Sequence, residues 1–199
     1  KISIILLLLC LGLFSQAQSY QKISQGVKTT VQGMDVEVAF YSPSIVRVYK
    51  TPEGSSYDKK SLVVMKEPEE TFVEFAMNKE YIRLKSDVLQ VEVNSSTGGI
   101  NFYDATGRVL LKDKDYGTQF TPFDDAGTFS YNVRQAFLLD KDEVIYGLGQ
   151  QQTGKVNQRN QKLFLRNKNM SICIPFIHSV KGYGPVSYTH LTLPTKLEV

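Results

Sequence analysis

The segment from Tyr146 to Asn167 reads YGLGQQQTGKVNQRNQKLFLRN and holds no Asp, Glu, His or Cys. Side-chain amides carry a donor and an acceptor in one group, which suits sugar hydroxyls. They supply no general acid, no general base and no nucleophile. By composition alone the segment is a polar loop between strands. Its glycines do not form a nucleotide loop. Four residues separate Gly149 from Gly154, and Gly154-Lys155 is followed by Val156 rather than Ser or Thr. No helical period follows either, so both phosphate-binding patterns are excluded.

The remaining chemistry-bearing residues are scattered. His178 lies in an apolar strand and reads as a structural histidine, while His190 lies near the C-terminal end. No His or Cys pair has metal-ligand spacing, and no Ser, His and acid assemble into a triad pattern. Asp113-Lys114-Asp115, Asp124-Asp125 and Asp140-Lys141-Asp142-Glu143 sit beside Lys, Thr or Gly. Turn chemistry and solubility account for them, and adjacency in sequence does not create the gap a glycosidase carboxylate pair needs. Asn94-Ser95-Ser96 and Asn169-Met170-Ser171 match the glycosylation acceptor pattern but carry little weight here.

The elements that must position these residues are strands. The chain of 199 residues is 42% hydrophobic and 22% charged, enough to bury a core. Its net charge of +3 is spread without a dense basic block, so nucleic acid is not an expected partner. From about Val27 the apolar residues alternate. MDVEVAFYS places Val36, Val38 and Phe40 on one face, and SIVRVYK repeats the period through Val48. TFVEFAM sets Val73 and Phe75 opposite Phe72, and YIRLKS and VLQVEV continue. NSSTGG closes a hairpin, and INFYDATGRVLL gives two strands around an Asp-Ala-Thr-Gly turn. RQAFLLDKDEVIYGLG reads as another pair, and QKLFLRN and SICIPFIHSVKGYG complete the series. Residues 113–132 are the longest stretch without alternation; Phe120, Phe123, Phe129 and Tyr131 are expected to cover a sheet edge or the sandwich end. Short strands punctuated by turns predict an all-β sandwich.

The two ends differ from the middle. Lys1 precedes an apolar run from Ile2 to Phe14 and a small-residue exit at Ser15-Gln16-Ala17. This predicts a secretory signal peptide over residues 1–17, cleaved after Ala17, and no membrane span once it is removed. Removing it leaves Cys173 as the lone cysteine, expected to be buried and inert. Export without a disulfide framework points to a bacterial periplasm or cell surface. At the other end, Val186 to Thr195 reads VSYTHLTLPT, which resembles the conceptual translation of a transposon-end sequencing adapter. Residues 185–199 are therefore expected to be a non-native tail, with the natural protein continuing past Gly184.

The residues from Tyr146 onward carry a family resemblance. Tyr146-Gly147-Leu148-Gly149-Gln150, Asn157 with Arg159, Arg166-Asn167, Ile174-Pro175-Phe176 and Gly182-Tyr183-Gly184 resemble the N-terminal region of glycoside hydrolase family 31. Upstream, VLQVEVNSSTGGINFYDATGRVLL resembles that family's galactose-mutarotase-like β-sandwich. The chain departs at Asn160, where the family often has Gly; Gln150 in place of Glu looks like the bacterial xylosidase-like branch.

The resemblance implies a β-sandwich over residues 18–184, normally preceding a (β/α)₈ barrel that these residues do not include. In the family the barrel carries two aspartates, a nucleophile and an acid/base, that act on α-glycosides with retention. They fall past Gly184, so no catalytic residue is expected here, and no cofactor or metal is implied. The implied partner is an α-linked oligosaccharide, met through the barrel. Arg166, Asn167 and Asn169 are the candidate substrate-binding residues, because their segment approaches the non-reducing-end sugar in relatives. Ile172, Ile174, Phe176, Ile177 and Tyr183 are expected to line a face the barrel covers. The rival reading is a stand-alone carbohydrate-binding module; the coding sequence past Gly184 separates the two.

Overall fold

The computed structural model describes residues 20–55 and 64–187. The predicted signal peptide and residues 188–199 lie outside them. The described residues form strands and turns, with no helix among them.

β1 (Tyr20–Ile23), β2 (Gly26–Val31), β3 (Met34–Ser42) and β4 (Ile45–Pro52) form a four-stranded antiparallel sheet in chain order. β5 (Glu74–Met77), β6 (Tyr81–Lys85), β7 (Leu89–Asn94), β8 (Ile100–Asp104), β9 (Val109–Asp125) and β10 (Thr128–Leu138) form a six-stranded antiparallel sheet, also in chain order. β11 (Ile145–Gln150) and β12 (Ile172–Ser179) make a separate two-stranded ribbon.

The period of two explains the layering. Alternate residues of β3, from Met34 through Val36, Val38 and Phe40 to Ser42, are buried, while those between are half-exposed. Val27, Met34, Val36, Val38 and Phe40 from the first sheet pack in one core with Ile82, Leu84, Val91, Val93 and Ile100 from the second. Two sheets each presenting one apolar face bury them against one another, which is the physical content of a sandwich. Val73 and Phe75 join this core, whereas Phe72 is exposed, as the alternation predicts.

The turns behave as their residue types suggest. Asn94 Oδ1 accepts from the N–H groups of Ser96 and Thr97 at 2.9 and 2.8 Å in the β7–β8 turn. In the β8–β9 turn, Asp104 accepts from Thr106 and from the Arg108 N–H and side chain; these bonds, Thr106 foremost, hold its carboxyl down at about 2.

Pairing departs from the sequence reading in three places. Residues 113–132, which do not alternate in sequence, nonetheless lie in strands: β9 and β10 form a long hairpin, paired from Thr118↔Gln135 to Asp125↔Thr128, with a register shift between Gln135 and Phe137. Their aromatic residues sit on its strands, with Phe120 against Tyr131 and Tyr131 against Phe129, both edge to face. β10 and β11 are not partners, since β10 pairs with β9 and β11 with β12. QKLFLRN joins no sheet; it alternates half-buried and exposed residues but forms no ladder.

Two carboxylates read as solvated turn residues are buried. Asp113 lies between the sheets, where Lys50 Nζ reaches its Oδ2 at 3.1 Å. Ile100 N–H and Gln135 Nε2 donate to it at 3.0 and 2.8 Å. Burial raises its pKa, and this outweighs the opposing pull of Lys50 and the hydrogen bonds. Glu143 is the second, and it belongs to the ribbon.

Candidate functional site

β11 and β12 carry the Tyr-Gly-Leu-Gly and Ile-Pro-Phe motifs, and they meet at a large bulge. Gly147 pairs with Ile177 and Gly149 with Cys173, so Leu148 alone stands opposite Ile174-Pro175-Phe176. The three residues Gly147, Leu148 and Gly149 all have positive φ, at 110°, 66° and 81°. A Cβ on Gly147 would run into the Phe176 carbonyl, and one on Gly149 into the Ile172 carbonyl. The motif therefore needs glycine twice, for conformation and for backbone approach. These glycines build a sheet bulge and not a phosphate cradle.

The bulge arches β12 outward, and its side chains alternate. Ile172, Ile174 and Phe176 are 52%, 50% and 36% exposed, while Cys173, Pro175 and Ile177 between them are half-buried. Beyond β12 the chain turns and returns along its free side. Ile177 N–H donates to the Pro185 carbonyl at 3.1 Å and Ser187 N–H to the Pro175 carbonyl at 2.9 Å. This pairs Phe176 with Val186, itself 49% exposed, on one face. These bonds involve residues 185–187, which the sequence reading placed after the domain. The outward face is thus apolar, with His178 stacked on Phe176 at 6.5 Å between ring centroids. Two residues expected on that face point elsewhere: Ile177 is half-buried, and Tyr183 donates its hydroxyl to Glu143.

Much of the amide-rich loop folds on itself. Gln151 Nε2 donates to the carbonyls of Leu148 and Ile172, both at 3.2 Å. Gln158 is buried; its Nε2 donates to the Lys155 and Val156 carbonyls, while its Oε1 has no partner among the described residues. Asn157 Oδ1 accepts from Arg159 N–H at 3.0 Å. Arg159 anchors the loop, donating from its guanidinium to the carbonyls of Asp140 and Glu143 at 2.7 and 2.8 Å.

The three candidate binding residues lie together just before β12. Arg166 is exposed, its guanidinium 5.4 Å from the Phe164 ring centroid. Asn167 Oδ1 accepts from Cys173 N–H at 2.8 Å, so its carbonyl is committed to the strand. Asn169 is exposed in a tight turn closed by reciprocal bonds between Lys168 and Ser171, with Met170 at φ 64°.

Sequence reasoning missed the polar hub beneath this region. The Glu143 side chain is only 1% exposed. It accepts from Ser179 Oγ at 2.5 Å, from Tyr183 Oη and from Asp140 N–H at 3.0 Å. Lys181 Nζ lies 3.6 Å away and bridges to Asp140 at 2.7 Å. Burial works against ionisation of Glu143, but these donors together hold its pKa below the ordinary glutamate value. The Tyr183 phenol is pushed well up, first by burial and then by its bond to Glu143. The available signal was Glu143 lying just ahead of the Tyr-Gly-Leu-Gly strand, and the neighbouring Asp and Lys residues concealed it.

The geometry agrees with what the chain resembles. The family model for the glycosyl hydrolase 31 N-terminal galactose mutarotase-like domain matches residues 35–186. An alpha-xylosidase of Saccharolobus solfataricus is 31% identical over 164 residues, covering 77% of this chain and 22% of that protein. Alpha-glucosidase 2 of Bacillus thermoamyloliquefaciens is 26% identical over 135 residues, covering 68% of this chain and 16% of that protein. The chain thus spans about a fifth of the length of these curated relatives. The solved GH31 alpha-xylosidase of Xanthomonas citri matches with a TM-score of 0.76 at 26% identity, over 82% of this chain and 18% of that one. The bulged ribbon with its two obligatory glycines, on a sandwich of this topology and with this profile match, places the chain in glycosyl hydrolase family 31, as its N-terminal galactose mutarotase-like domain.

Proposed function

We propose that this chain is the N-terminal sandwich domain of an exported retaining α-glycosidase, of α-xylosidase or α-glucosidase type, acting on α-linked oligosaccharides. In this reading the sandwich supports a catalytic barrel and shapes the rim of its substrate pocket. The observation that carries it is the apolar face of Ile172, Ile174 and Phe176, raised by the bulge that bears the family motifs. Exposed apolar side chains gathered on one face suit burial against another body.

Arg166 and Asn169 are the rim groups best placed to meet a sugar, since they are exposed and make no hydrogen bond to the described residues. Asn167 contributes through its amide N–H₂, its oxygen being engaged by Cys173 N–H. The apolar run up to Phe14 and the small-residue exit support export to a periplasm or cell surface.

The test is expression of the gene through the codons that follow Gly184, beside residues 18–199 alone. The longer protein is expected to turn over an aryl α-xyloside or α-glucoside and the shorter chain is not, because it lacks the two barrel carboxylates. Turnover by the shorter chain would overturn the reading. Saturable oligosaccharide binding by the shorter chain, with a natural stop codon after it, would favour the stand-alone binding module instead.

A further inference from the structure

The Glu143 carboxylate gathers donors from both sides of a chain reversal. Ser179 ends β12 and is fully buried; Tyr183 begins the returning segment. Both hydroxyls converge on Glu143 Oε1, and Asp140 N–H takes Oε2. The reversal between them is tight, with Gly182 N–H donating to the Ser179 carbonyl at 3.0 Å and Ser179 N–H to the Tyr183 carbonyl at 2.9 Å. Lys181, at its apex, reaches Asp140, Glu143 and the Val109 carbonyl of β9. On the opposite side of the hub, Arg159 holds the Glu143 carbonyl and fixes the amide loop. One buried side chain is therefore tied to the linker before β11, to the end of β12, to the returning segment and, through Lys181, to the six-stranded sheet.

We propose that Glu143 is a positioning residue: by clamping Ser179 and Tyr183 together it sets the path on which the chain leaves β12 and returns along its free side, beside Phe176. Two backbone bonds close the turn and two hold residues 185–187 to β12, while the Glu143 clamp is a side-chain link that ties that turn to the linker before β11. The clamp consists of charge-assisted hydrogen bonds out of water, which are the strong kind. Titratable and charged groups facing Glu143 are Asp140, Lys181 and Tyr183, with Arg159 on its carbonyl. The inference rests on this hydrogen bonding alone and stands whether or not the apolar face meets a barrel.

The experiment compares the full chain with Glu143→Gln, Glu143→Asp and Tyr183→Phe. Gln keeps the shape and one acceptor, so it avoids a gross folding failure while removing the charge. Two readouts are taken: the Tyr183 phenol titration by ring-carbon NMR, and amide exchange at Ile177, Gly182 and Ser187 against Val36 and Val93 in the core. In Glu143→Gln the phenol is expected to titrate lower, towards the ordinary tyrosine range. Exchange at the three ribbon amides should rise by about tenfold or more, with the core amides unchanged. Tyr183→Phe should raise the same three rates, and Glu143→Asp, which restores the charge, should recover part of the protection. A phenol that moves while ribbon exchange stays at the wild-type rate would show a contact without positioning and overturn the proposal. Equal loss of protection in ribbon and core would overturn it too, since the carboxylate would then serve global stability.

Discussion

Lys50 and Asp113 form an ion pair at 3.1 Å between the two sheets of the sandwich, with 6% and 4% of their side chains exposed. Lys50 occupies the inward register of β4, opposite Val36 of β3. A charge there is tolerable only because Asp113 meets it and is itself held by Ile100 N–H and Gln135. Lys50→Met is expected to cost about 3–5 kcal/mol, because it leaves Asp113 buried without its cation. The double change Lys50→Met with Asp113→Asn should recover much of that loss. Urea unfolding of the wild type, Lys50→Met, Asp113→Asn and the double variant measures the coupling, and additive effects would refute it.

Gly149→Ala tests the bulge. The position has φ 81°, and the new Cβ would meet the Ile172 carbonyl, so the ribbon must shift. The expected penalty is roughly 1–3 kcal/mol, confined to the ribbon. Amide exchange should quicken in residues 172–179 and not at Val38 or Val93. Unchanged ribbon protection would mean the close approach does not constrain β11.

Phe176→Lys separates an exterior face from a core. With Phe176 on the outward side of β12, the lysine is expected to raise solubility and to lower stability by less than ~1 kcal/mol. A core phenylalanine would instead cost about 3 kcal/mol or more from lost packing and charge burial. Denaturant midpoints, with light scattering at matched concentration, distinguish the outcomes.

Glu143 also predicts a pH dependence. The folded protein keeps this carboxylate ionised to a lower pH than the unfolded chain does. Above the ordinary glutamate pKa, about 4.3, its contribution to stability is fully present. As pH falls below that value the unfolded state takes up the proton first, so the contribution shrinks until the folded carboxylate protonates as well. Glu143→Gln should lack this part of the acid slope while keeping the remainder. Identical slopes below about pH 5 would contradict the shifted carboxylate.

The alternation of apolar residues determined which side of each strand faces inward, because strand geometry turns a period of two directly into a face. Val36, Val38, Phe40, Val73 and Phe75 were legible for that reason. The turns at Asn94 and Asp104 were legible because their side chains bond their own neighbouring backbone, a purely local interaction. The Tyr-Gly-Leu-Gly and Ile-Pro-Phe motifs revealed the family, but not that they face one another across a bulge. Pairing is a long-range choice that alternation does not encode, so β10 and β11 looked like partners although each pairs elsewhere. Burial of Asp113 and Glu143 was likewise decided only in three dimensions. An acid beside lysines has the local signature of a solvated turn, and it becomes an interior ion pair or a hydroxyl clamp only when distant strands bring Lys50, Ser179 and Tyr183 to it.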